Sequence, residues 1–585
     1  MPEAPRTRRG PDLTVNPVSA VRGGLTPSLW DLLAFATLLA VFVLIGFGTR
    51  GVFGTLEESA AKAVSLDPRQ LPWFAARTSL RMIIALVVST LFTLGYATLA
   101  AKNRRARTFL LPLLDILQSV PILGFVSAVV VLFMNLTPGR VLGAELVAVF
   151  AIFTSQVWNM TYSLYHSLIT VPRELEEMAH SFRLSPWMRF WRVELPFAMP
   201  ALVWNAMMSM SGGWFFVVAA ESISVGRSSV ALPGVGTYIA SALGASDLGA
   251  VGWAVLTMAV VILLYDVFLF RPLVAWSSRF HYDTSATTQV APRSLVLEAL
   301  RRARWVSAIR GPLARLGRAR PGGRVQRPMA TAPSAAIIRR TDRLWGALAA
   351  LVTVAALWLV VRYLATEIAF DEVLHVLLLG VYTMLRVFVL VALASLIWVP
   401  IGVQVGLRPR LTAIVQPLAQ FFAAFPANLL FPVAVWAIVR YQLDPNIWLS
   451  PLMILGSQWY ILFNVTAGAS GIPGELRDVS ANLQLKGGLW WRKLALPAVF
   501  PTFITGAITA SGGAWNASIV AEFVHWGNTT VEAAGLGTYI VAATNAGDQP
   551  RIILGIAVMS LFVIVTNRAI WQPLQRRASE RFRLA

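Results

Sequence analysis

The polar residues of this sequence are not arranged for catalysis or for metal binding. Cysteine is absent and the five histidines are scattered, so the 585 residues offer no thiolate ligand and no metal-ligand spacing. None of the lysines follows a glycine-rich loop of the kind that holds nucleotide phosphates. We therefore expect no catalytic residue, no metal ion and no cofactor bound by this chain, so any chemistry it depends on belongs to another polypeptide.

Two polar stretches, residues 172–196 and 473–497, carry the most specific spacing. Each begins with a proline and has acidic residues in its first turn, where the dipole of a helix favours them. Helical spacing of apolar and small residues then predicts a short helix with one apolar stripe, formed by Leu175, Met178, Ala179 and Phe182 and, in the second stretch, by Leu476, Val479, Ser480 and Leu483. A helix lying on lipid headgroups is one interpretation. The duplication favours docking to two copies of one partner.

Long apolar segments must position these stretches. The chain is 57% hydrophobic and only 13% charged, whereas soluble domains are about one quarter charged. Segments of roughly 20 apolar residues, each long enough to cross a bilayer, recur along the chain. We predict an all-α polytopic membrane protein with about twelve transmembrane helices, near residues 30–48, 76–100, 109–134, 142–166, 196–221, 250–272, 344–363, 376–406, 411–440, 446–468, 497–522 and 551–572.

The formal net charge of +21 is distributed along the flanks of these spans. Arginines gather in the N-terminal tail, after the second span, in the central stretch and at the C-terminus, without the interleaved aromatic residues of a nucleic-acid surface. The positive-inside rule then places both termini and both polar stretches in the cytoplasm. We expect a multi-pass protein of the bacterial inner membrane, in contact with lipid and not with nucleic acid.

Composition divides the chain into four predicted parts. These are a cytoplasmic tail over residues 1–27, a first membrane domain over 28–277, a basic cytoplasmic linker over 278–343 and a second membrane domain over 344–585. Within the linker, residues 294–310 form either a basic amphipathic helix on the membrane surface or a disordered segment.

The two membrane domains repeat each other. An offset of 301 aligns Trp214 with Trp515 and Glu221 with Glu522, and nearer the start of each half the offset becomes 305, which matches Arg81 to Arg386 and Pro121 to Pro426. Six spans per repeat is an even number, so both repeats have the same orientation. A pseudo-two-fold axis along the membrane normal, with a pathway between the halves, follows from this.

Polar residues within the spans are the candidates for contact with a solute, because polar groups are costly in a bilayer. They are Gln118, Ser119, Gln156, Trp158, Asn159, Asn205, Ser209, Asn428, Gln458, Trp459, Asn516 and Ser518. Hydrogen bonding between helices is the alternative role for them. The prolines at 121 and 426 should bend the third spans, and the glycine pairs at 212–213 and 512–513 allow close helix packing.

Four charged residues near the predicted external ends of the spans have mainly structural interpretations. Glu221 and Glu522 end the fifth spans, and we expect them to cap the loop that follows rather than to touch an anion. Arg81 and Arg386 either face the pathway or snorkel to the external headgroups, and we favour snorkelling.

The two polar stretches resemble the EAA loop of ABC importer permeases. The shared pattern is an acid, a small residue and, about fourteen residues later, hydrophobic-x-Leu-Pro, here Glu177-Met-Ala179 to Val193-Glu-Leu-Pro196 and Asp478-Val-Ser480 to Leu494-Ala-Leu-Pro497. The Ala-Ala-Glu and Val-Ala-Glu ends of the fifth spans, with the Gly-x-Gly-Thr-Tyr that follows, are similar to the nitrate/sulfonate/taurine branch in a duplicated, fused form. The sequence departs from the family at its loop glycine, which is Arg183 in one half and Gln484 in the other.

This resemblance implies a type I importer fold in which both loops couple the spans to ATP hydrolysis. The implied coupling residues are Glu174, Glu177, Ala179, Phe182, Arg183, Leu195, Pro196, Glu475, Asp478, Ser480, Leu483, Gln484, Leu496 and Pro497. It also implies two copies of a separate ABC ATPase subunit that holds ATP and Mg, an external solute-binding protein, and a small organic or inorganic anion as solute.

Two other classes of protein remain as alternatives. A secondary carrier of six-plus-six topology would share the basic cytoplasmic linker, but it does not need a matched docking helix in both halves. An intramembrane enzyme is weaker, because no two carboxylates share a helix face within the spans and no Ser/His or His/Glu pair lies there at helical spacing.

Overall fold

The computed structural model describes 32, 33, 35, 39, 46, 49, 65–119, 129–130, 132–221, 224–225, 228–229, 232–280, 294–302, 335–526 and 529–581. Within these residues the chain is helical apart from two short hairpins and the connecting turns. Most of the predicted span 30–48 and most of the predicted linker lie outside the described residues. The described part of the linker includes one helix, Leu295–Arg302, within the stretch predicted to be amphipathic or disordered.

The first half is built from long helices joined by short turns. Its helices are α1 (Leu71–Lys102), α2 (Arg104–Ser119), α3 (Val141–Ile169), α4 (Arg173–Ser181), α5 (Pro186–Arg189), α6 (Leu195–Glu221), α7 (Val235–Gly244), α8 (Leu248–Tyr265), α9 (Arg271–Ser277) and α10 (Leu295–Arg302). Strands β1 (Ser224–Val225) and β2 (Ser228–Ser229) pair as an antiparallel hairpin after α6. A π-helical turn, Phe190–Glu194, joins α5 to α6.

The second half repeats this order. Its helices are α11 (Ala335–Glu367), α12 (Phe370–Gly406), α13 (Pro409–Ala424), α14 (Phe431–Tyr441), α15 (Pro445–Trp448), α16 (Trp459–Ser470), α17 (Gly474–Asn482), α18 (Gly487–Trp490), α19 (Leu496–Ala521), α20 (Leu536–Ala546), α21 (Gln549–Thr566) and α22 (Gln572–Arg581). Strands β3 (Phe523–Trp526) and β4 (Thr529–Glu532) form its hairpin. The matching π-helical turn, Trp491–Ala495, precedes α19.

Among the described residues, seven helices are long and apolar enough to cross a membrane, or eight if one bent pair is a single span. The seven single helices cover seven of the predicted spans, and the bent pair covers the predicted span 411–440. Helix α11 covers the predicted span 344–363. The bent pair is α13 followed by Ala427–Tyr441, which meet at 77°. The prediction that Pro426 interrupts this span is therefore confirmed, because a proline cannot continue the helical hydrogen bonds that precede it. In the first half, residues 120–128 around Pro121 are not described.

The prediction of one helix over 446–468 is wrong in its first part. There the chain forms the single turn α15, a 3-10 turn at Ser450–Met453 and further turns, and the α-helix starts only at Trp459. Pro445 and Pro451 each start a new turn rather than continue a helix, since proline has no N–H to donate. The corresponding region of the first half, at the start of α3, has no proline and is regular helix.

The two halves pack against each other around a shared core. In each half the fourth-span helix, α3 or α16, makes its main contacts with the second-span and fifth-span helices. Trp214 and Trp515, which the repeat aligns, are both fully buried. Ala424 and Leu429 of the second half belong to a hydrophobic cluster that is otherwise formed by the first half. This packing brings the fifth spans of both halves to one central cavity.

Candidate functional site

Helices α4 and α17 have the same geometry in both halves. Each is nine residues long and closes with the same hydrogen bond at its C-terminal end. Leu184 N–H donates to Ala179 O in the first half, and Leu485 N–H donates to Ser480 O in the second, both at 3.0 Å. The residue directly before each of these leucines has a left-handed backbone, with φ of 48° at Arg183 and 51° at Gln484. The loop glycine that this sequence lacks thus falls at a position where glycine is the least strained residue.

The predicted apolar stripe is split between the molecule's interior and its surface. Ala179 and Ser480 are buried, whereas Phe182 is 72% exposed and Leu483 is 65% exposed. Each exposed side chain stands at the C-cap of its helix. The small residue therefore anchors the helix, and the large apolar residue beside it is free to contact a partner.

The other predicted coupling residues lie around these two helices. Glu174, Glu177, Glu475 and Asp478 are exposed, Leu195 is buried, Pro196 and Pro497 are half-buried, and Leu496 is exposed. The acids thus form a charged rim beside the exposed Phe182 and Leu483.

A chain of ion pairs ties α4 to the spans, and no sequence pattern predicted it. Arg189 contacts Glu176 at 2.5 Å and Glu194 at 2.8 Å, and Lys102, at the end of α1, contacts Glu194 at 2.7 Å. Glu194 is almost fully buried. The aligned residues of the second half are Arg477, Trp490, Ala495 and Leu407, which cannot form this chain. These ion pairs therefore have no equivalent at α17.

A cavity of about 280 Å³ lies between the halves. Five of the residues predicted to contact a solute line it: Gln118, Trp158, Asn159, Ser209 and Asn516. The lining residues that the structure describes include no charged side chain. The cavity is also lined by Thr509, Trp515 and Trp571, which were not among the predicted residues. The two tryptophans read as ordinary apolar residues of a span, so composition gave no reason to select them.

The other predicted pathway residues whose side chains the structure describes lie outside the described lining of the cavity. Asn205 donates to Ser163 Oγ, Asn428 donates to Phe215 O across the halves, and Gln458 accepts from Trp398 Nε1. Trp459 stacks on Phe422, Ser518 donates to Trp515 O, and Gln156 is fully buried. The side chain of Ser119 is outside the described set. For Asn205, Asn428 and Gln458 these contacts match the alternative role of hydrogen bonding between helices, whereas Ser518 bonds within its own helix.

Glu221 and Glu522 anchor the loops that follow the fifth spans, as predicted. Glu221 Oε2 accepts from Gly236 N–H and Glu522 Oε2 accepts from Gly537 N–H, both at 2.7 Å. An added Cβ at Gly236 would lie 2.3 Å from a backbone oxygen of α6, so only glycine fits there. The second glycine of each Gly-x-Gly-Thr-Tyr motif thus donates a backbone hydrogen bond to a buried carboxylate.

The snorkelling interpretation of Arg81 and Arg386 is wrong. Arg81 is 2% exposed and contacts Glu221 at 2.5 Å and Glu145 at 2.6 Å. Arg386 contacts Glu522 at 3.0 Å and donates to Asn446 Oδ1. A carboxylate within reach is a better partner than the headgroup region, because an unpaired buried charge is strongly destabilising.

The first half carries one extra charge pair in this network. Arg77 contacts Glu145 at 2.5 Å, and the second half has Tyr382 and Asn446 at the aligned positions. Positive and negative charges are therefore equal in number in both networks. The first half pairs two arginines with two glutamates, and the second half pairs one arginine with one glutamate.

The glycine pairs have two separate roles. A Cβ added at Gly213 would lie 3.0 Å from Gln156 Nε2, and one added at Gly513 would lie 2.5 Å from Ser457 Cβ, so these glycines serve close helix packing. Gly212, Gly512 and Gly513 line the cavity, and Gly512 has open space in front of it.

No group of three or more acidic or histidine side chains that could hold a metal ion occurs in the part of the chain that the structure describes. The described ion pairs also leave no catalytic pair facing the cavity, since its described lining is uncharged. The described structure thus combines an uncharged cavity between the two halves with two short helices that each expose one large apolar side chain.

Comparison with known proteins identifies membrane permeases. The bicarbonate transport system permease protein CmpB of Synechococcus elongatus is 27% identical over 179 residues, which are 31% of this chain and 61% of that protein. The nitrate import permease protein NrtB of Leptolyngbya laminosa is 25% identical over 185 residues, 32% of this chain and 63% of that protein. The glycine betaine/proline betaine transport system permease protein ProW of Escherichia coli is 28% identical over 178 residues, 30% of this chain and 46% of that protein. The chain thus spans about three fifths or less of the length of these curated relatives.

A family match covers both halves. The family described as binding-protein-dependent transport system inner membrane component matches residues 92–275 and again residues 398–570, which together exceed half of the chain. The predicted tandem repeat is confirmed by this double match, and so is the all-α membrane fold that each repeat contributes. The chain belongs to the binding-protein-dependent transport system inner membrane component family.

Proposed function

We propose that this chain is the permease subunit of an ATP-driven importer and forms the translocation pathway for a small anion. The observation that carries the proposal is the matched pair α4 and α17, each with one large apolar side chain exposed beside a buried small one. Two matched docking elements, one on each of two halves that share one cavity, suit a motor with two copies. A secondary carrier has no use for them.

The energy source is a separate polypeptide in this proposal. The sequence has no Gly-x-x-x-x-Gly-Lys-Ser/Thr, so the chain itself offers no cradle for ATP phosphates. Two copies of an ABC ATPase, which hold ATP and Mg, would dock on α4 and α17. An external binding protein would deliver the solute, and the fused chain would replace a dimer of permeases.

Two observations support an anion as the solute. The relatives CmpB and NrtB are named for bicarbonate and nitrate, and ProW is named for betaines. No acidic side chain lines the cavity among its described residues, so the site does not repel an anion.

The proposed orientation places both termini, the linker over 278–343, α4 and α17 in the cytoplasm of a bacterium, with membrane domains over 28–277 and 344–585. Arginine placement supports it. The cysteine-free chain allows a direct test by single cysteines. Ser307→Cys should react with an impermeant maleimide only after the cells are opened. Tyr441, the last residue of α14, is 65% exposed and lies on the external side in this orientation, so Tyr441→Cys should react in intact cells. The reverse pattern would contradict the orientation.

ATP hydrolysis tests the function. The purified chain should hydrolyse no ATP, and the ATPase encoded beside it should copurify with it and support ATP-dependent uptake of anion into vesicles. Hydrolysis by the permease alone, or uptake without ATP, would refute the importer assignment.

A further inference from the structure

The central cavity contains hydrogen-bonding groups that the protein leaves without partners. Trp515 Nε1, Trp571 Nε1, Ser209 Oγ and Ser457 Oγ are all buried and have no hydrogen-bond partner, and all four residues line the cavity. Unpaired buried polar atoms are rare in native proteins and each one needs a physical reason. Four of them at one cavity between two halves indicate a site that is completed by something other than the protein.

The chemistry of these groups selects the ligand. An indole N–H can only donate a hydrogen bond, and a serine hydroxyl can rotate to donate. An oxyanion can only accept, and it forms shorter and stronger hydrogen bonds than a neutral acceptor does. Neither a cation nor a group that only donates could satisfy the two tryptophans.

The cavity offers no countercharge, since its described lining has neither a lysine nor an arginine nor a carboxylate. Phe215, Phe216 and Phe425 complete the wall. An anion held here by uncharged donors is bound without an ion pair. Passage requires a site that can also release the solute, and the lack of an ion pair is consistent with that requirement.

The donors are not shared equally between the halves. The residue aligned with Trp571 is Phe270, which has no N–H, and the residue aligned with Ser209 is Ala510. Trp214, the counterpart of Trp515, lies outside the described lining of the cavity. Three of the four donors, including both indoles, therefore come from the second half, so the set of donors does not follow the repeat.

We propose that Trp515, Trp571, Ser209 and Ser457 form a binding site for the oxyanion end of a small solute, namely a carboxylate, a sulfonate or a small oxoanion. The donor atoms are shielded from water in this conformation, so the wall adjusts around the solute as it binds. The importance of the site for import rests on the proposed function, whereas its preference for oxyanions can be tested on the purified chain alone.

The test uses thiol reagents that differ in charge. In the cysteine-free chain, Thr509→Cys places one thiol in the cavity wall, and Thr505→Cys places one on the same helix a turn away and outside the lining. Both threonines donate to the carbonyl four residues earlier. Each variant is reacted in detergent with 2-sulfonatoethyl methanethiosulfonate and with its trimethylammonium analogue, and the ratio of the two rates is compared.

We expect the sulfonate reagent to be favoured several-fold more at position 509 than at position 505. Adding Trp515→Phe or Trp571→Phe should remove most of this preference, and Trp214→Phe, the same change at the aligned position, should leave it intact. Equal ratios at 509 and 505, no reaction at 509, or a preference that survives both substitutions would overturn the site. If the preference holds but the chain fails to support ATP-driven uptake, the importer function is refuted and the oxyanion site stands.

Discussion

At the scale of single residues, Arg183 and Gln484 are in local conflict with the left-handed backbone that they adopt. A residue with a Cβ costs about 1–2 kcal/mol in this conformation, and glycine avoids that cost but adds freedom to the unfolded chain. Arg183→Gly should therefore stabilise the first loop, by about 0.5–1 kcal/mol. Arg173→Gly, in the helical first turn of α4, is the matched control and should destabilise it. Local stability is read from hydrogen exchange over 173–185, and faster exchange in Arg183→Gly would contradict this explanation.

A second residue-scale prediction concerns the extra charge pair of the first half. Glu145→Asn copies the residue of the other half but leaves Arg77 and Arg81 buried with one carboxylate, which should cost about 3–5 kcal/mol. Adding Arg77→Tyr, the other aligned residue, should restore most of the loss because the network is again balanced. Thermal unfolding in detergent measures both variants. If the double variant is no more stable than Glu145→Asn alone, the two halves do not hold interchangeable versions of one network.

At the scale of elements, periodicity and proline placement were enough to locate most spans, the short helices α4 and α17, and the break at Pro426. Prediction from the sequence failed where the structure depends on more than local hydropathy, including contacts between residues far apart in the chain. The failure at 446–468 arose because hydropathy does not distinguish a helix from apolar turns started by Pro445 and Pro451. Snorkelling was assigned to Arg81 because its partners, Glu145 and Glu221, are 64 and 140 residues away.

The ion-pair chain of the first half predicts unequal mobility of α4 and α17. Glu194→Ala, which copies Ala495, should release Arg189 and Lys102 and raise hydrogen exchange over 173–181 several-fold, toward the level over 474–482. Glu174→Ala removes an exposed acid of the same helix and should leave exchange unchanged. Equal exchange of α4 and α17 in the unmodified chain would show that these ion pairs do not hold the helix, which is possible only if their net contribution is as small as that of surface pairs.

At the scale of the whole molecule, the repeat predicted that a pathway lies between the halves, and the cavity lies there. Its full lining could not be predicted, because Trp515 and Trp571 gain their role only from the way the halves meet. Gly512→Leu should fill the open space at the wall and block uptake. Gly252→Leu, on the exposed side of α8 and also facing open space, should leave uptake and expression at the level of the unmodified chain. Normal uptake by Gly512→Leu would place the pathway elsewhere.

The central claim is that both α4 and α17 receive an ATPase subunit, and site-directed cross-linking tests it most directly. Single cysteines replace Phe182, Leu483 or, as a control at the opposite end, the exposed Tyr441, and a short photoreactive maleimide is attached in membranes that contain the ATPase encoded beside this chain. We predict that positions 182 and 483 each cross-link to the ATPase and that position 441 does not. A chain that cross-links to the ATPase from neither 182 nor 483, although the ATPase is present and the label attaches, would show that these helices are surface elements and not couplers.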